Sequence, residues 1–132
     1  MAERFGIDTS ILVRLVTGDP ESEFDDCVRK LSRLVERDGA QLLASNQVIG
    51  ETYVALQHHY GVAKADARHA LGSVLASGLV GPLNGDEVFA ALEAHSGCGL
   101  LDRLIAGDYR SAGLVTLTLD RKMAALESTR KL

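Results

Sequence analysis

Four acidic side chains occupy positions that suit chemistry. Asp8 ends the short apolar run Phe5-Gly6-Ile7, and Asp120 ends the run Leu114–Leu119. Glu51 and Asp102 fall early in segments of helical spacing, each just after a strand or a turn. Open α/β sheets bind their ligands at the carboxyl ends of the strands, where acids placed like Asp8 and Asp120 stand. Brought to one edge of a sheet without cations, four carboxylates would repel, and some would titrate above their usual range. Hard divalent cations with oxygen ligands relieve that repulsion. Mg²⁺ or Mn²⁺ suits an all-carboxylate site that keeps some waters. The reaction such a site supports is phosphodiester hydrolysis, with one cation activating water and a second, if present, steadying the leaving oxygen. A helix cap explains a single Asp8 equally well; the repetition at three further places points to chemistry.

The elements that must position these acids can be traced along the chain. Thr9 or Ser10 caps a first helix that ends near Gly18-Asp19-Pro20. Glu21 to Arg37 reads as a second helix, with Phe24, Cys27 or Val28, Leu31, Leu34 and Val35 at helical spacing. Gln41–Ala44 is a short strand, and Ser45 or Asn46 caps a helix running to about Tyr60 with Ile49, Tyr53, Leu56 and Tyr60 on one stripe. Glu51 is off that stripe. A further helix covers Ala63 to Ala76, with His69 on its surface, and Leu79–Leu83 is an edge strand broken by Gly81 and Pro82. After the turn at Asn84-Gly85 a short helix starts at Asp86. Leu100 to Ala112 is a helix with Leu101, Leu104, Ile105 and Ala112 inward and Asp102 near its amino end. Leu114–Leu119 is the clearest strand, and Arg121-Lys122-Met123 opens a last short helix. Residues 128–132 remain unassigned. The order is α/β: a sandwich of helices around a short, mostly parallel central sheet.

Composition narrows the classes. With 132 residues, 46% of them hydrophobic, one globular domain over residues 1–132 is expected. A net charge of −4 speaks against gripping duplex DNA by bulk charge, yet leaves room for a nuclease whose clustered carboxylates lower the total. Cys27 and Cys98 form no CxxC pair and read as free thiols of a reducing compartment. The start, MAERFGIDTS, is charged at Glu3, Arg4 and Asp8, unlike a signal peptide or membrane anchor, so a cytoplasmic location is expected. Exposed apolar surface is expected around Phe24, Val28 and the Tyr53–Leu56 region, for self-association or a partner segment.

Taken in order, GIDTSILV, VIGETYVAL, LLDRLIAGDYRSAG and LVTLTLDRKMA resemble the four acidic motifs of PIN-domain ribonucleases, and the closest group is the VapC-type toxins of bacterial toxin–antitoxin pairs. The resemblance spans nearly the whole chain and rests on order, spacing and length, since no single motif is specific. It implies a PIN-like three-layer sandwich with Asp8, Glu51, Asp102 and Asp120 as catalytic, metal-binding acids. Thr9 and Thr118 fit the family's hydroxyl positions, which help orient a carboxylate or a water. It further implies Mg²⁺- or Mn²⁺-dependent endonucleolytic cleavage of RNA, a homodimer, and an antitoxin that blocks the site. Two features depart from the family: Tyr109 stands where a small residue is usual, and the final strand of relatives is short or missing here.

The other chemical candidates are weaker. Asp108 falls on the Leu101–Leu104–Ile105 side of its helix and is either a group near the substrate or an acid paired with a cation or at the rim. Arg103 and Arg121 each adjoin a proposed metal-binding acid and are the best choices for contacts to RNA phosphates. His58 and His59 lack transition-metal spacing, and no Gly-rich phosphate loop is present. A phosphatase of the haloacid-dehalogenase type would need a second Asp where Ser10 stands. A receiver domain would need an acid pair that Glu3 and Asp8 do not form. The alternatives left are a PIN-domain nuclease that is not a toxin, and a catalytically inactive PIN-like scaffold that binds RNA or protein. All four acids being present counts against the scaffold.

Overall fold

Arg4–Ile7 forms the first strand, β1, in a computed structural model that describes residues 2–132. The chain divides into two compact units, Met1–Leu83 and Asn84–Leu132.

In the first unit β1 is followed by α1 (Thr9–Thr17), α2 (Glu21–Asp38), β2 (Gln41–Ala44), α3 (Asn46–His58), α4 (Lys64–Leu75) and β3 (Gly81–Pro82). The sheet order is β1-β2-β3 and every pairing is parallel, with Ile7 opposite Ala44 and Ala44 opposite Pro82. Parallel neighbours need crossovers, and two helices fill each one here. Gly18 and Gly39 stop α1 and α2 at φ values of 66° and 65°, a left-handed turn that costs a side chain more than it costs glycine. Pro82 lacks an amide donor and is tolerated because β3 is the edge strand. Ile7, Leu42 and Ala44 are buried along with Leu12, Ile49, Leu56 and Leu71 from α1, α3 and α4. The same strands border an open groove of about 370 Å³ with no carboxylate in its walls, lined by Arg4, Phe5, Gly6, Ile7, Leu43, Ser45 and Leu83.

Two expectations change in this unit. The third helix stops at His58, which leaves Tyr60 exposed beyond it. Tyr53 and Leu56 are buried and only Val54 of that stretch is exposed, so the expected apolar surface shrinks to one side chain; α3 packs against both α1 and α4, and its main stripe is consumed inside. Phe24 and Val28 are half-buried, since α2 is covered on its α1 side.

The second unit holds α5 (Glu87–Glu93), α6 (Leu100–Ser111), β4 (Thr116–Thr118), a single 3₁₀ turn (Met123–Ala125) and β5 (Thr129–Lys131). β4 and β5 are parallel, and the segment left unassigned in the sequence thus supplies a short strand. Cys98, Ala106 and Met123, with Leu126 against them, make a small core. Here the apolar pattern misleads. Only three residues of the expected strand Leu114–Leu119 pair, because β5 offers only three partners. Strand alternation then turns Thr116 inward at 5% exposure and leaves Leu117 and Leu119 at 60% and 75%. On α6 the buried face runs Leu100, Leu104, Gly107, whereas Leu101 and Ile105, both expected inward, are exposed. Small Ala106 and Gly107 allow close packing on that face. Ala112 lies past the helix end and is exposed. Helices flanking short parallel sheets make the class α/β, as expected.

Candidate active site

Asp8 and Glu51 come after neighbouring parallel strands of one sheet. Asp8 follows β1 directly, and Glu51 lies in the second turn of α3, which follows β2. Asp8 itself is the N-cap of α1, a role the sequence suggested for Thr9 or Ser10. Its Oδ1 accepts from the Ile11 amide at 3.3 Å and from the Ser10 hydroxyl at 2.6 Å. With the cap taken, Thr9 becomes the first helical residue, and its hydroxyl donates to Glu51 Oε1 at 2.7 Å. That bond joins chain positions 42 residues apart and fixes Glu51 beside the start of α1. The Ser45 hydroxyl caps α3 by accepting from the Val48 amide at 3.2 Å, which sets where Glu51 emerges.

The Ser10 hydroxyl and then the Ile11 amide hold the Asp8 carboxyl below the usual Asp range, against a smaller opposing effect of burial. This runs opposite to the upward shift that crowded carboxylates would show. A carboxyl lowered in the folded state adds stability that is present above its unfolded pKa and is lost as pH falls through the lowered folded value. Ser10→Ala should therefore return the Asp8 pKa toward the ordinary value, read as a higher midpoint in a carbon-NMR titration of the carboxyl. An unchanged midpoint would show that the hydroxyl has no such effect.

In the second unit Asp102 is half-buried in the first turn of α6, where the helix dipole favours an anion. Arg103 follows it. Its Nε donates to the Cys98 carbonyl at 3.2 Å and its Nη2 to the Ser96 carbonyl at 2.6 Å. Gly97, at φ +82°, leaves room for that guanidinium; a Cβ there would stand 3.3 Å from Nη2. Arg103 thus braces the loop that leads into Asp102. Asp120 was expected to end its strand, but β4 stops at Thr118 and Asp120 lies two residues beyond it, accepting from the Lys122 amide at 2.7 Å and the Met123 amide at 3.2 Å, both on Oδ1. The Thr118 hydroxyl in turn accepts from the Asp120 amide at 3.0 Å. Asp108 is exposed and accepts from the Asn84 side chain at 2.8 Å, a rim position with a neutral partner. The Tyr109 ring is also exposed and crowds nothing in the core. Arg121 is exposed.

The donor set suits a hard cation. None of Asp8, Glu51, Asp102 and Asp120 takes part in an ion pair among the described residues, and their neighbours are hydroxyls and backbone amides. Within neither unit do three His, Cys, Asp or Glu side chains gather, among the described residues. Mg²⁺ needs no such cage, since it keeps several waters and binds through one or two carboxylates.

No curated protein and no solved structure matches the chain. No helix among the described residues is long and apolar enough to cross a membrane. The PIN domain family does match, over residues 6–128, a span that includes all four acids. PIN domains form a nuclease superfamily whose members generally use divalent metal ions. A match that runs from the first strand to the threshold of the last is a match to the whole fold, and the chain belongs to the PIN domain family.

Proposed function

We propose that this PIN domain is an endoribonuclease dependent on Mg²⁺ or Mn²⁺ and the toxin of a type II toxin–antitoxin pair. The observation that supports it most is the Thr9–Glu51 hydrogen bond, which draws an acid following β2 to the helix start that Asp8 caps. Asp8, Glu51, Asp102 and Asp120 are the acids assigned to hold the cation, with the Thr9 and Thr118 hydroxyls positioning the Glu51 carboxylate and the Asp120 backbone. The cation supplies an activated water and charge neutralisation at the phosphate. The protein's part is to fix the directions of the carboxylates, as the Thr9 hydroxyl does for Glu51 and the Ser10 hydroxyl does for Asp8.

Single-stranded RNA incubated with the purified protein should be cut in Mn²⁺ or Mg²⁺ and left whole in EDTA. A matched DNA strand should be cut far more slowly. RNA left intact in both metals would refute the enzymatic reading. The homodimer and the antitoxin belong to the same proposal. Sedimentation with and without the product of the gene immediately upstream tests both.

A further inference from the structure

The cations of the second unit fall into two groups. Arg103 is committed to the Ser96 and Cys98 carbonyls, and Arg110 to the Glu87 carboxylate at 3.4 Å and the Glu127 carbonyl at 3.4 Å. The other four, Arg121, Lys122, Arg130 and Lys131, are all exposed and form no ion pair among the described residues. They face only two acids, Asp120 and Glu127, within residues 112–132 of a chain whose net charge is −4.

The fold sorts these four further. Parallel pairing sets Lys131 opposite Thr118, and the Leu132 amide donates to the Thr118 carbonyl at 2.9 Å. Lys131 therefore stands about 5 Å, one strand spacing, from the strand end that leads into Asp120. On the far side of Asp120 the chain turns back, and the Lys122 amide binds the Asp120 carboxylate at 2.7 Å. Lys131 thus stands beside the strand end two residues before Asp120, and the Arg121–Lys122 pair directly follows Asp120 in the chain. Arg130 pairs with Leu117, and alternation puts it on the opposite face of the strand pair.

We propose that Arg121, Lys122 and Lys131 form a phosphate-docking edge that seats the backbone of a single nucleic-acid strand beside Asp120. Exposed basic side chains that form no ion pair among the described residues are free to take phosphates, and a polyanion that binds them releases its counterions. A short cluster in an otherwise acidic chain fits a few phosphates of one strand, not the broad charge of a duplex. The inference rests on the nuclease reading only in taking Asp120 as an acid of the active site.

Binding of a labelled RNA strand in EDTA, where cleavage is stopped, tests the docking edge separately from catalysis. Lys122→Gln and Lys131→Gln should each lower the slope of log K against log salt by about 0.7, while Arg130→Gln, which removes the same charge, should leave it unchanged. In Mn²⁺ the two lysine variants should raise KM with kcat unchanged. Equal slopes for wild type and the lysine variants would overturn the proposal, as would an equal loss in Arg130→Gln, which would mean bulk charge only. Tighter binding of duplex DNA than of the single strand would overturn the choice of partner. Absence of metal-dependent cleavage with the slope changes intact would refute the nuclease and leave the docking edge standing.

Discussion

Asp8→Asn should fold like the wild type and cleave RNA less than about a hundredth as fast. Asn caps a helix about as well as Asp, so the bond from the Ile11 amide survives and α1 keeps its start. What is lost is the negative charge a divalent cation requires. Losing a mere outer partner of a metal ligand costs about 10–100-fold, and losing a ligand should exceed that. Asp120→Asn allows the same separation, because its Oδ1 can still accept from the Lys122 and Met123 amides. Glu51→Gln and Asp102→Asn complete the set. Initial rates in Mn²⁺ beside thermal melts of each variant check the expectation. A variant that keeps its melting point and loses less than tenfold in rate would take its residue off the list of catalytic acids.

Metal should also stabilise the fold. A cation that binds only the folded protein adds about 2.7 kcal/mol at a hundredfold excess over Kd. Thermal melts in EDTA and in a Mn²⁺ series should therefore separate for the wild type and draw together for Asp102→Asn. Removing that carboxylate also forfeits its interaction with the α6 dipole, so the metal-free variant should be no more stable than the metal-free wild type. Equal metal shifts in wild type and Asp102→Asn would show that Asp102 holds no metal.

The first unit was largely legible because its signals are local. Gly18 stops α1 where sequence placed the stop, α2 ends one residue past the expected Arg37, and Gln41–Ala44 is the strand the apolar run marked out. The second unit was harder, and the reason is physical. Leu114–Leu119 carries both apolar residues and threonines in alternation, and hydrophobicity alone assigns the leucines to the core. The partner strand and the turn at Met123 decide otherwise and bury Thr116. On α6 two apolar stripes compete, and the one with Ala106 and Gly107 beside it packs more closely than the one with Leu101 and Ile105. The candidate acids could be proposed from their places after strands and turns. Their partners could not: the Thr9–Glu51 bond spans 42 residues, and the brace from Arg103 depends on the left-handed turn at Gly97. The Asp8–Ser10 contact was within reach of sequence, since an Asp-x-Ser spacing at a helix start brings a hydroxyl to the capping carboxylate.

The two thiols give each unit its own clock. Cys98 is 7% exposed inside the small core of the second unit, against Ala106 and Met123. A disulfide reagent can reach it only when that core opens, so its labelling rate reports the opening equilibrium of residues 84–132. Cys27 lies half-buried on α2 of the first unit, and burial pushes its thiol up, which slows its reaction at neutral pH. It is nevertheless accessible without unfolding and should label first. A single protein thus yields two time courses, one set by the ionisation of a surface-side thiol and one by breathing of a core. Neither requires an engineered probe.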